Sequence, residues 1–156
     1  MTSLISRIFS DQYANHKAIG ENTLLWIMYR LAYPFSFFLY KLKFSPNKIT
    51  TLSTIFALLA AIFLVMGYPE AWFLVFWSGS ILLDFCDGTV ARMSNNISKT
   101  SFRYDHLSDI FKIFIIMLSA CIYYDSFLMW LISMSTSFLF MFYTLLNHEL
   151  GNATKL

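Results

Sequence analysis

Two runs without a single charged residue, Ile49 to Pro69 and Ser126 to Asn147, decide what this chain can become. Each is long enough for the roughly 20 residues that cross a bilayer core as a helix. In hydrocarbon every backbone N–H and C=O has to find its partner inside the segment, which a helix achieves and an isolated strand does not. Between the two runs, Ala71 to Arg92 begins apolar and ends acidic, while Tyr104 to Tyr124 begins acidic and ends apolar. Read as helices, both span with a polar end on the same side. Composition agrees, since 58% hydrophobic and 13% charged residues lie outside the soluble range. The expectation is an all-α integral membrane protein, a single domain over residues 1–156, with an N-terminal region at 1–48 and a four-helix transmembrane bundle at 49–147.

Charge distribution orients that bundle. Four spans beginning at residue 49 put the N-terminus, residues 93–103 and the C-terminus on one side. Arg7, Lys17, Arg30, Lys41, Lys43 and Lys48 precede the first span, Arg92, Lys99, Arg103 and Lys112 flank the middle connection, and Lys155 follows the last. The opposite connections carry only Glu70 and Asp125. The basic side is expected to be cytoplasmic, so the protein reads as multi-pass with its acidic helix ends facing the cytoplasm.

The segment Leu24 to Leu42 is apolar enough to invite a fifth span, but that would carry Arg7 and Lys17 across the membrane. It reads instead as an interfacial helix. Trp26, Tyr29, Tyr33 and Tyr40 supply amphipathic rings, and Arg30, Lys41 and Lys43 can meet anionic headgroups. Pro34 is expected to kink or divide it. Ser45-Pro46-Asn47 marks a turn before the first long span. Met1 to Glu21 lacks the apolar core of a cleavable secretory signal. Cys86 and Cys121, both inside predicted spans, have neither metal nor redox spacing and read as small apolar residues. A net charge of +2 gives no reason to expect a nucleic-acid partner, and the lipid bilayer is the partner that composition demands.

The acidic helix ends carry the chemistry. They read Asp84-Phe-Cys-Asp87-Gly88-Thr-Val-Ala91-Arg92 and, after eight residues, Ser101-Phe-Arg-Tyr-Asp105-His-Leu-Ser-Asp109. Helical spacing puts 84, 87, 88 and 91 on one face and 101, 105 and 109 on another. Two such faces opposed would gather four carboxylates in a small volume. Without neutralisation they repel, and an oxygen-only donor set at that density suits hard divalent ions such as Mg²⁺ or Mn²⁺. An ionisable residue inside a span costs a few kcal/mol, roughly, and usually marks function. His106 points about 100° away from the two aspartates that flank it and reads as interfacial.

The pattern Asp-x-x-Asp-Gly-x-x-Ala-Arg followed by x-x-x-Asp-x-x-x-Asp resembles that of the CDP-alcohol phosphatidyltransferases, and the likeness extends upstream through Ser-Pro-Asn47-Lys-Ile-Thr50. That resemblance implies transfer of a phosphatidyl or related phospho-alcohol group from a CDP-linked lipid such as CDP-diacylglycerol to an alcohol acceptor, with release of CMP. It also implies divalent metal held by Asp84, Asp87 and Asp105, with Asp109 as the general base toward the acceptor hydroxyl. Gly88 and Ala91 would be small so that the nucleotide can approach the helix backbone. Arg92 would contact phosphate or serve as a snorkelling cation at the helix end. Two departures stand out: Ser101 occupies the position of a family glycine, and the chain supplies four spans where the family has six. The alternative that these raise is a non-catalytic or truncated relative that binds metal and nucleotide as a membrane subunit. The family also implies a homodimer, for which Phe138, Phe140, Phe142 and Tyr143 offer an aromatic surface.

The topology is directly testable. Single cysteines at Ser94 and Ser126 are expected to react with impermeant maleimide from opposite sides of the membrane, Ser94 from the cytoplasm. Labelling of both from one side would overturn the four-span arrangement.

Overall fold

A computed structural model of the protein describes residues 10–16, 20, 22–95 and 99–153, without the side chains of 99–102 and 147–153. Among the described residues it has five long helices: α1 Thr23–Lys41, α2 Pro46–Val65, α3 Glu70–Met93, α4 Lys99–Tyr124 and α5 Phe127–Ala153. No strand occurs among the described residues. Four helical segments are long and apolar enough to cross a membrane: Pro46–Val65, Glu70–Met93, Arg103–Tyr124 and Phe127–Leu146. These match the four spans expected from sequence to within a few residues. α1 is not among them.

The boundaries follow local chemistry. Asn22 caps α1, its Oδ1 accepting from the backbone N–H groups of Leu24 and Leu25 at 3.1 and 3.2 Å. Pro46 opens α2 at a position where a missing N–H costs nothing. α2 ends at Gly67, whose φ of +67° turns the chain into α3. There Tyr68 N–H donates to Phe63 O and Gly67 N–H to Leu64 O, which satisfies carbonyls the helix end would otherwise orphan. Ser126 caps α5 by accepting from Met129 N–H. Pro34 does not divide α1, which runs continuously from Thr23 to Lys41, and Ala32 and Ser36 on either side of it are fully buried.

α2 is the central helix. It packs on both α3 and α4, while α1 lies on α3 and α5 on α4. α1 packs on the acidic half of α3: Cys86 Sγ approaches Ala32 O, Tyr29 stands edge-on to Phe85, and Ala32, Ile49, Cys86 and Val90 form one buried cluster. A second cluster of Ala60, Ala61 and Ile116 lies toward the other end, bordered by Phe73, Phe76 and Trp77. Small residues let the helices approach, as membrane packing requires. Both cysteines are free and buried. Of the aromatic surface on α5, Phe138, Phe142 and Tyr143 are exposed, but Phe140 turns inward and lines a cavity.

Gly79 shows how closely α2 and α3 meet. A Cβ there would come within 2.8 Å of the Phe56 ring, which is itself packed against Phe76. Gly79→Ala is therefore expected to destabilise the protein by about 1–3 kcal/mol, the usual range for overpacking. Phe56→Leu in the same chain should recover part of that loss, and thermal unfolding in detergent would reveal it. Strict additivity of the two substitutions would show that the contact is not the cause.

Candidate metal and nucleotide centre

The site is built by α2, which holds a row of hydroxyls toward both neighbours. Thr50 Oγ1 donates to Asp87 Oδ2 on α3 at 2.7 Å, and Ser53 Oγ donates to Ser80 O on the same helix at 2.9 Å. Toward α4, the hydroxyls of Thr51 and Tyr104 meet at 2.8 Å and those of Thr54 and Ser108 at 2.6 Å. These bonds fix the rotation of α3 and α4 about their axes. Inter-helical hydrogen bonds of this kind are worth roughly 0.6–2 kcal/mol each in a membrane.

With that rotation set, the acidic faces converge. Carboxylate oxygens of Asp84, Asp105 and Asp109 lie within 4.8 Å of one another. All three residues are half-buried, which leaves them accessible to a ligand. Asp87 stands behind them: it is only 5% exposed, bonded to Thr50, and within electrostatic reach of Asp105. The group of three thus includes Asp109, the expected base, and leaves out Asp87, an expected ligand. Both roles therefore lie within one small volume. An all-carboxylate donor set of this compactness fits a hard divalent cation.

Lys112 is the participant that sequence reading missed. Expected to flank the connection, it is buried, and its Nζ is ion-paired with Asp84 Oδ1 and with Asp109 Oδ1, the latter at 2.7 Å. The available signal was its spacing, three residues from Asp109 and seven from Asp105, on the same helical face. Beside this pair opens a cavity of about 330 Å³, lined by Trp77, Ser80, Ile81, Ile113 and Phe140 as well as by Asp84, Asp109 and Lys112. Its wall is charged at one end and apolar elsewhere.

The rest of the motif lies at the polar end of α3. The three atoms nearest to a Cβ on Gly88 would all belong to the Arg92 guanidinium, at 3.4–3.8 Å. Arg92 folds back over Gly88, donating from Nε to Tyr13 O and from Nη2 to Thr89 Oγ1, with the Tyr29 ring 5.3 Å from its Cζ. Ala91 is half-buried on the same stretch. Ser101 falls in the first turn of α4, and its side chain lies outside the described residues, as do those of Lys99 and His148. Arg103 is exposed.

Residues 10–16 reach this end of the bundle through a polar latch. Trp26 Nε1–H donates to Asp11 Oδ2 at 2.9 Å, and Arg30, stacked on Trp26, stands 3.5 Å from the same oxygen. The Trp26 hydrogen bond holds the Asp11 carboxyl below its ordinary value, against the opposing effect of partial burial. A depressed carboxylate stabilises the fold above its unfolded pKa, near 3.9, and the contribution is lost as pH falls through the lower folded value. Acid titration of Trp emission is therefore expected to show a transition below about pH 4 that disappears in Asp11→Asn. An unchanged transition in that variant would assign it elsewhere.

The model of the family described as CDP-alcohol phosphatidyltransferase matches residues 43–152, from the turn before α2 into the last turns of α5. Neither a curated protein nor a solved structure matches the chain.

Proposed function

The chain belongs to the CDP-alcohol phosphatidyltransferase family, and from that premise we propose that it transfers a phosphatidyl group from a CDP-linked lipid to an alcohol at the carboxylate centre between α3 and α4. The observation that carries this reading is the meeting of Asp84, Asp105 and Asp109 within 4.8 Å at the polar end of two spanning helices. Phospho-alcohol transfer from a CDP-alcohol, in a membrane, follows from the family alone. The residue roles, the metal and the substrates are our proposal.

In this reading Asp84, Asp87 and Asp105 would hold Mg²⁺ or Mn²⁺, Asp87 from its buried place behind the other two, while Asp109 stands within the same group of carboxylates. When bound, the metal neutralises the pyrophosphate and the charge that develops on the leaving group. Gly88, with the Arg92 guanidinium nearest to it, leaves the α3 backbone open to the nucleotide. Ala91 keeps the next turn low, and Arg92, released from Tyr13 O, turns its guanidinium to phosphate. Ser101 would stand at the opposite wall. Asp109 takes the proton from the acceptor hydroxyl, the alcohol oxygen bonds to the lipid-bearing phosphorus, and the bond from that phosphorus to the CMP oxygen breaks. CMP leaves with the electron pair. By the distribution of basic residues the centre faces the cytoplasm. Phe138, Phe142 and Tyr143 would be available to a second copy of the chain.

The test is CMP release from CDP-diacylglycerol by purified protein in lipid vesicles, with glycerol phosphate, inositol phosphate, serine and choline offered in turn. Release is expected with one acceptor, and chelator should abolish it. Asp109→Asn should slow transfer by about 100-fold or more while CDP affinity stays within a few-fold, since a base acts on chemistry rather than on binding. Asp84→Asn should weaken both. Divalent-dependent CDP binding without CMP release under any acceptor would instead support the non-catalytic subunit.

A further inference from the structure

A centre of four aspartates on facing helices has enough oxygens for the paired divalent ions common in phosphoryl transfer, which sit about 3.5–4 Å apart. This chain has placed a cation of its own there. Lys112 is 5% exposed, and its Nζ contacts Asp84 Oδ1, Asp109 Oδ1 at 2.7 Å and Ser53 Oγ at 3.4 Å. A lysine ammonium has three N–H donors and no acceptor. Each donor has a partner, so Nζ is saturated. The two carboxylates it joins come from different helices, Asp84 from α3 and Asp109 from α4, as the oxygens bridged by a metal ion would. The ion pairs of Lys112 engage neither Asp87 nor Asp105, nor the second oxygens of Asp84 and Asp109.

We propose that the Lys112 ammonium stands in for one of two divalent ions, so that the centre binds a single ion and stays assembled without any. The proposal rests on the divalent-dependent reading of this centre given above. Charge supports it. Four carboxylates facing one another in a low-dielectric bundle need more than one unit of positive charge to remain close, and a fixed ammonium supplies part of it before any ion arrives. Geometry supports it as well, because the ammonium lies beneath Asp84 and Asp109, whose side chains are 34% and 31% exposed against 6% for Lys112. Ions enter from the exposed side. A neutral residue at 112 therefore opens a second binding position rather than closing the first.

The experiment counts Mn²⁺ by electron paramagnetic resonance in detergent-purified protein without nucleotide. Wild type and Lys112→Arg are expected to saturate at one ion per chain, and Lys112→Gln at two, with the dipolar broadening of a close Mn²⁺ pair. In chelator, Lys112→Gln should unfold at a lower temperature than wild type, and Mn²⁺ should restore it. Two ions in wild type, or one in both wild type and Lys112→Gln, would overturn the proposal. So would a Lys112→Gln protein that fails to fold even with Mn²⁺, since a second ion should then supply the missing charge. No CMP is measured here, so a wrong ion count leaves the transfer reading standing, whereas a protein that binds no Mn²⁺ sinks both.

Discussion

The ion pairs of Lys112 with Asp84 and Asp109 are the interaction on which the rest of this structure depends. α3 and α4 carry the acidic residues, yet they are not among the closely packed helix pairs; each packs on α2 instead. What joins them across the site is Lys112, reaching from α4 to Asp84 on α3. The cavity beside that bridge, charged at one end and otherwise lined by Trp77, Ile81, Ile113 and Phe140, leaves room for a ligand with a polar and an apolar part. The bridge also makes the arrangement sensitive, because removing one member of a buried ion pair leaves the others uncompensated at a cost of about 3–5 kcal/mol.

α2 makes that bridge possible. Its apolar residues are small where the helices come closest, with Ala57, Ala60 and Ala61 buried, and its hydroxyls are placed where the neighbours turn polar. Thr50 holds Asp87, Thr54 holds Ser108 one residue before Asp109, and Ser53 receives Lys112 while donating to Ser80. Each bond is modest alone. Together they select one rotation of α3 and one of α4, the rotation in which the carboxylates meet.

Much of this was legible in the sequence, for physical reasons that differ between elements. The four spans were readable because hydrocarbon tolerates so few alternatives to an apolar helix. Helical periodicity put Asp84 and Asp87 on one face and Asp105 and Asp109 on another, and opposing the two faces accounts for the meeting of Asp84, Asp105 and Asp109. Lys112 could not be recognised by counting basic residues, since a lysine eight residues beyond the Tyr104 start of a span looks like a snorkelling cation until its helical face is compared with that of Asp105 and Asp109. Asp87 was expected among the ligands, but its burial and its bond to Thr50, a partner 37 residues away, are announced by no local pattern. Phe140 was grouped with its exposed neighbours because an aromatic run on a span gives little sign of which ring turns inward. Continuity of α1 through Pro34 was likewise not legible, because a proline inside an apolar run reads as a boundary.

The central claim is that the carboxylates between α3 and α4 hold a divalent ion against the diphosphate of a CDP-linked lipid. The most direct measurement is the hyperfine coupling between Mn²⁺ and ³¹P in protein loaded with Mn²⁺ and CDP. A phosphorus coupling is expected in wild type, and its loss in Asp84→Asn and Asp105→Asn would locate the ion between the two helices. A coupling of full strength in both variants, or Mn²⁺ bound to the protein with no phosphorus nearby, would contradict the account.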